Sequence, residues 1–203
     1  MSKIISFSLW GNKSMYTKGA VLNIALAKEI YPEWICRFYV NNTVDELVIE
    51  EIKKNGGQVV RILDNKGENW GMFWRFMAND DPEMDIFISR DCDSRLNYRE
   101  RVAVEEWEKS DKCFHIMHDH PYHMTVPILG GMWGAKRGCI SDITDKINKW
   151  GDYNNKGIDE TFLERMIWPD IREKCISHGI GAKPFPPHPP IKNGGKFVGE
   201  IFY

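Results

Sequence analysis

Long apolar runs are missing from this chain. No stretch approaches the roughly 18 residues that a membrane-spanning helix requires, so no membrane span is expected. An excess of either charge is missing too. Lys and Arg number 27 against 29 Asp and Glu, a formal net charge of −2, and no global field draws such a chain to nucleic acid or an anionic membrane. Cysteine is scarce and never arranged as C-x-x-C. The five (Cys36, Cys92, Cys113, Cys139, Cys175) are odd in number and widely spaced, which argues against a zinc knuckle or a disulfide framework and points to a reducing, cytoplasmic setting. Met1 to Ile5 holds one lysine and no small-residue cleavage site, so no leader peptide is expected. Internal repeats are absent. What remains is 42% hydrophobic and 28% charged, the composition of an ordinary folded domain, and 203 residues are too few for two comfortable ones.

Apolar runs at Ile4–Trp10, Ile35–Val40, Gln58–Leu63, Asp85–Ser89 and Cys113–Met117 predict strands. Between them lie helical patterns. Ala20–Ile30 has no breaker before Pro32; Thr43 with Glu46 forms a T-x-x-E capping box for a helix that Gly56-Gly57 ends; Asn97 with Glu100 opens another to about Ser110. Trp70–Met77, Ile140–Trp150 and Asp159–Trp168 also read as helices, His118–Gly134 as a glycine-containing loop, and Pro184–Pro190 as an extended segment. Strands alternating with helices imply an α/β fold with a central, mostly parallel sheet flanked by helices.

The strand at Asp85–Ser89 runs directly into Arg90-Asp91-Cys92-Asp93-Ser94-Arg95. Ligands of open α/β sheets sit beyond the carboxyl ends of the strands, and residues two apart in extended chain point the same way. Two carboxylates there suit Mg²⁺ or Mn²⁺. Such an ion can bridge the phosphates of a nucleotide diphosphate and stabilise the charge on its departure. Arg90 and Arg95 could add phosphate contacts. A chain this acidic yields about one Asp-x-Asp by chance, and a loop acidic pair is commonly only solvated. This one, however, is the sole Asp-x-Asp of the sequence, follows an apolar strand and precedes a helix cap. A second cluster, His178-Gly179-Ile180-Gly181-Ala182-Lys183-Pro184-Phe185, offers a histidine as third metal ligand, glycines for close approach and a lysine for phosphate, against the plain reading of a surface histidine.

These residues resemble glycosyltransferases of the GT-A fold, which carry D-x-D after a central strand. Asp91-Cys92-Asp93 matches it. His178, Gly181, Lys183, Pro184 and Phe185 are similar to the H-x-x-G-x-x-K-P-W of the glycogenin-like branch, with one residue fewer before the lysine and Phe for Trp. Nearly the whole chain also resembles small bacterial and large-DNA-virus nucleotide-diphospho-sugar transferases, through F-S-L-W-G, F-W-R-F, R-D-x-D-S-R-L, H-D-H-P-x-H and G-G-M-W-G. The resemblance implies a GT-A-like domain over 1–203, with a nucleotide-binding half (1–96) and an acceptor and donor-sugar half (97–203). The ending F-V-G-E-I-F-Y resembles an internal family segment, so the chain is read as that domain or a fragment of a longer protein.

By the same resemblance, the protein is expected to be a hexosyltransferase-type enzyme using Mn²⁺ or Mg²⁺, held by Asp91, Asp93 and His178. Its donor would be a nucleotide-diphosphate sugar, UDP-sugar favoured, and its acceptor a glycan or other hydroxyl. Leu9, Trp10, Tyr16, Arg75, Arg90, Asp91 and Lys183 are expected around the donor. Carboxylates near the sugar fit an oxocarbenium-like transition state, and Asp119, Asp159 and Glu160 are the catalytic candidates, with a plain helix N-cap as the alternative for Asp159. His118, His120, Gly131 and Trp133 are expected at the sugar or acceptor, Trp133 as a stacking platform or simply as packing; with His123 the two histidines could instead form a second metal site. Two other readings stay open: a nucleotidyltransferase, although S-L-W-G-N-K-S has a single glycine where that class is glycine-rich, and a non-catalytic nucleotide-sugar-binding domain.

Overall fold

A computed structural model describes residues 2–191 and 195–203; Met1, part of the expected leaderless start, lies outside them. Seven strands form one sheet in the order β3-β2-β1-β4-β6-β5-β7. They are β1 (Lys3–Leu9), β2 (Ile35–Val40), β3 (Gln58–Arg61), β4 (Ile86–Arg90), β5 (Phe114–His118), β6 (Trp133–Lys136) and β7 (Cys175–Gly179). All neighbours run parallel except at β6, which is antiparallel to both β4 and β5.

Strand alternation divides the core. Ile5, Phe7 and Leu9 of β1, with Ile86 and Ile88 of β4, pack on one face beneath α1 (Ser14–Ile30), α2 (Glu46–Lys54) and, through Val104 and Trp107, α4 (Tyr98–Lys109). The other face carries Phe87, Phe114, Ile116, Trp133 and Ala135. It is covered by α3 (Gly71–Trp74), which continues as a tighter turn to Asp80, by α5 (Ile143–Trp150), and by α6 (Ile158–Phe162), followed by a wide turn over Leu163–Ile167 and α7 (Trp168–Ile171). The mostly parallel sheet flanked by helices is the expected architecture.

Several local expectations are corrected. Helix α1 starts at Ser14, six residues early: Gly19 lets it lie directly on the acidic turn, since a Cβ there would collide with the carbonyl of Cys92. The cap of α2 is Asp45, whose side chain accepts from Leu47 N–H at 2.9 Å, while Thr43 instead accepts from Gly11 N–H at 2.7 Å. The Asn97–Glu100 capping box is present. Strand β6 begins in the last two residues of the expected loop and runs past it, unread because four residues interrupted by Gly134 are too few to show alternation; β7 went unread too. A Cys113–Cys139 disulfide, Cα atoms 5.5 Å apart, ties the start of β5 to the turn after β6. One bridge beside three free thiols is no disulfide framework, but it removes the support that the cysteine pattern lent to a reducing setting. Among the described residues, no helix is long and apolar enough to cross a membrane.

Candidate functional site

Three serines create the room for the site. Ser6 and Ser8 of β1 and Ser89 of β4 interrupt apolar runs on the face that carries Ile4 and Phe87. There they serve as seats for backbone rather than as core. Ser6 Oγ donates to the carbonyl of Arg75 at 2.6 Å, and Ser8 Oγ accepts from Arg75 N–H at 2.9 Å. Ser89 Oγ donates to the carbonyl of Gly130 at 2.7 Å. Arg75 is thereby fixed by its own main chain over the carboxyl ends of β1 and β4.

Its buried guanidinium spans two carboxylates. One nitrogen binds Asp91, the first residue past β4, and the other reaches Asp159 Oδ2 of α6 at 3.0 Å. Asp159 does not cap its helix; Gly157 precedes the first turn, and the carboxylate turns inward to Arg75. Gly130 and Gly131 close the arrangement from above. A Cβ at Gly131 would collide with the Asp91 carboxylate, and one at Gly130 with both Arg75 and Asp159. The G-G of the sequence is therefore a backbone lid resting on this ion cluster. Gly131, expected at the sugar or acceptor, here lies against Asp91.

Electrostatics single out two further acids. Burial and then the Asp91 charge push Asp93 up to about 6. Burial and then Asp159 push Glu160, beside the Gly130 backbone, up to about 7. Burial, followed by Asp93 and Asp91, also raises Tyr16, which places that phenol at the same mouth. Burial opposes the Arg75 charge, but Asp91 and Asp159 outweigh it and keep the guanidinium protonated. When all are ionised, Asp91, Asp93, Asp159 and Glu160 stand against Arg75 and Arg95, leaving two negative charges over, the charge of one divalent cation. Two neighbouring acids with only oxygen donors fit Mg²⁺ or Mn²⁺; no group of three or more His, Cys, Asp or Glu among the described residues does so alone. A cation here would need waters or ligand phosphate to complete its shell. Trp10, just past β1, stands 36% exposed, edge-on to Trp74 with ring centroids 5.9 Å apart. Leu9 is buried in the core with its side chain among the apolar residues beneath α1.

The structure does not bring the remaining candidates together with Asp91 and Asp93. His178 leaves β7 on the opposite face, under α4. Its Nδ1 lies 2.9 Å from Nε2 of His115, and its Nε2 lies 3.8 Å from Glu106; it is not a third metal ligand. Lys183 ion-pairs with the same Glu106 rather than facing the acidic turn. Arg90, buried on that face by alternation along β4, pairs with Glu100 at 2.6 Å and has no route to a phosphate. Asp119 is clasped by Arg99 at 2.7 and 2.6 Å and by Val198 N–H at 2.9 Å, so both of its oxygens already have partners away from the acidic turn. Trp133 is wholly buried among Phe76, Phe87 and Phe114: packing, not a sugar platform. His120 stacks on Phe197 at 4.4 Å. His118 places Nε2 3.2 Å from the carbonyl of Val126 and lines a cleft of about 400 Å³ with Met124, Trp168 and Ile180.

Two contributors went unread in the sequence. One is the serine trio, whose signal was a small polar residue inside an otherwise apolar strand. The other is residues 195–203. Phe202 N–H donates to the Asp93 carbonyl at 2.8 Å and its ring lies 5.1 Å from the Arg95 guanidinium, so this segment borders the acidic turn, a long-range contact that no local pattern announces.

No protein-family model matches this chain, and no curated protein matches it in sequence. Solved structures do match in fold. A mannosyltransferase from Pyrobaculum calidifontis, in complex with GDP-Man and Mn²⁺, aligns with a TM-score of 0.55 at 11% identity, over 89% of this chain and 55% of that one. This chain thus spans little more than half of that neighbour's length. A 4-diphosphocytidyl-2C-methyl-D-erythritol synthase from Anaerococcus prevotii gives 0.55 and 11%, over 87% and 85%. Glucosyl-3-phosphoglycerate synthase from Mycobacterium tuberculosis gives 0.55 and 11%, over 93% and 73%. At such identity the likeness is one of fold, and the fold is the GT-A-like architecture shared by nucleotide-sugar glycosyltransferases and nucleotidyltransferases.

Proposed function

We propose that the protein is a metal-dependent glycosyltransferase that moves a sugar from a nucleotide-diphosphate donor, a UDP- or GDP-sugar, to a hydroxyl of a glycan or other acceptor. The observation that carries this reading is the excess of carboxylate at the mouth of β4. Asp91, Asp93, Asp159 and Glu160 are only partly neutralised by Arg75 and Arg95. A site so acidic repels a diphosphate unless a cation intervenes. Asp91 and Asp93 would hold Mn²⁺ or Mg²⁺, which when bound neutralises the leaving diphosphate. The mannosyltransferase that shares this fold is in complex with GDP-Man and Mn²⁺, and that supports the same pairing here.

In this reading Trp10 offers its exposed edge to the base and Tyr16 its hydroxyl to the ribose or phosphate. Asp159 keeps Arg75 at the reacting sugar. Glu160, poised at about 7, can take the proton of an acceptor hydroxyl near neutral pH, where a general base works best. The acceptor would approach by the His118 cleft. The nucleotidyltransferase reading is disfavoured because Gly11 N–H is already committed to Thr43, so the loop after β1 has no free glycine amide to cradle a triphosphate.

A thermal-shift screen of nucleotide sugars and nucleoside triphosphates, each with and without Mn²⁺, tests the proposal, since a ligand of the native state raises its melting temperature. A shift with one nucleotide sugar that needs Mn²⁺ is expected. Shifts with triphosphates alone would move the protein to the other class.

A further inference from the structure

We infer that Arg75 is a built-in counter-ion that must release Asp91 before a divalent cation can bind, so that this arginine sets the metal affinity of the ligand-free protein. The inference rests on the metal reading of Asp91 and Asp93 and goes beyond it, because it assigns Arg75 a role toward the cation rather than toward phosphate.

Arg75 can neither drift nor swing widely. Its main chain is pinned on both sides by Ser6 and Ser8, and its side chain lies under Gly130, where even a methyl group would collide with it. Its guanidinium is divided between Asp91 and Asp159, while its Nε is buried with no hydrogen-bond partner among the described residues. The fork is therefore not fully satisfied where it stands. One carboxylate, Asp159, is nearly buried; the other, Asp91, is 43% exposed and is the one a cation could reach from solvent. The Asp91 oxygen bound by Arg75 is a donor that a divalent ion would need, and Gly131 crowds the other oxygen. A metal and Arg75 cannot both have full use of this carboxylate. Since Asp159 offers Arg75 a second partner, the fork can let go of Asp91 without leaving its charge buried and unpaired, the outcome that makes breaking a buried pair costly.

The test is Mn²⁺ binding to the ligand-free protein, followed by calorimetry and by the spin-resonance signal of free Mn²⁺, for wild type, Arg75→Gln and Arg75→Lys. Circular dichroism confirms the fold of each. Arg75→Gln should bind Mn²⁺ about tenfold or more tightly, because a unit positive charge and a competing donor leave together. Arg75→Lys keeps the charge, but a single ammonium cannot bridge both acids as the fork does; it should bind more tightly than wild type and less tightly than Arg75→Gln. Arg75→Gln at or below wild-type affinity would overturn the inference, as would Arg75→Lys equal to wild type, which would reduce the effect to charge alone. If Arg75→Gln does not fold, Arg75→Lys decides. Should neither wild type nor either variant bind Mn²⁺, the metal reading itself fails. Binding by wild type with no gain in the variants removes only the role of Arg75.

Discussion

The two faces of the sheet treat charge in opposite ways. Under α4, Arg90 is matched to Glu100 and His115 to His178 inside a layer closed by helix, with Lys183 matched to Glu106 at its exposed edge. On the other face, at the ends of β1 and β4, Arg75 is shared by two acids, while Asp93, with Arg95 nearby, and Glu160 form no ion pair among the described residues. A buried charge with one dedicated partner is structural; a carboxylate surplus left at an open mouth awaits a ligand. Sequence motifs did not separate the two. Arg90 stands next to Asp91, and His178 belongs to the second motif, yet both lie in the closed layer.

Substitutions on the two faces should therefore fail differently. The largest expected effect is Arg90→Met, which strands Glu100 without its partner. Urea unfolding should report a loss of about 3–5 kcal/mol, with Mn²⁺ affinity of the surviving folded protein unchanged. A stable Arg90→Met protein that had lost Mn²⁺ would instead return Arg90 to the site. Next comes Asp91→Asn, for which calorimetry should show Mn²⁺ affinity down about 100-fold, the loss of one of two charged ligands, with little change in unfolding midpoint. The last effect is on acidification. Burial pushes both His115 and His178 below their usual range, the former well below it, so each protonates at a lower pH in the native state than in the unfolded chain, where the change falls near pH 6.5. Stability from this pair is complete above that pH. It declines below, by about 1.4 kcal/mol per pH unit for each imidazole that stays neutral. Glu106 works to retain the proton on His178, whereas Lys183, and Arg90 toward His115, work against it. Urea midpoints at pH 7 and pH 5 would measure the slope, and a His115→Gln/His178→Gln variant should flatten it.

Much of the architecture was legible because it is local. The apolar run at Ile35–Val40 is a strand over those same residues, and the Asn97–Glu100 box opens its helix as read. Both follow from signals within a few residues. The acidic turn after β4 was legible for the same reason. The histidine motif misled because its spacing says nothing about which face β7 presents, and the aromatic of G-G-M-W-G misled because β6, too short to announce itself, turns Trp133 into the core. The partners of Asp119, Arg99 twenty residues earlier and Val198 much later in the chain, were not legible because neither contact is local. The disulfide was missed because Cys113 and Cys139 are neighbours only once β5 and β6 pair.

By itself, the sequence determined the alternation of strands and helices and put Asp91 and Asp93 at a strand's carboxyl end, since periodicity, caps and chain direction are written residue by residue. Only the tertiary structure decided which charges are spent on one another and which are left over. A side chain's partner is chosen by the face its strand turns toward and by what distant segment packs there. Arg75, Asp91 and Asp159 meet across the sheet on those terms alone.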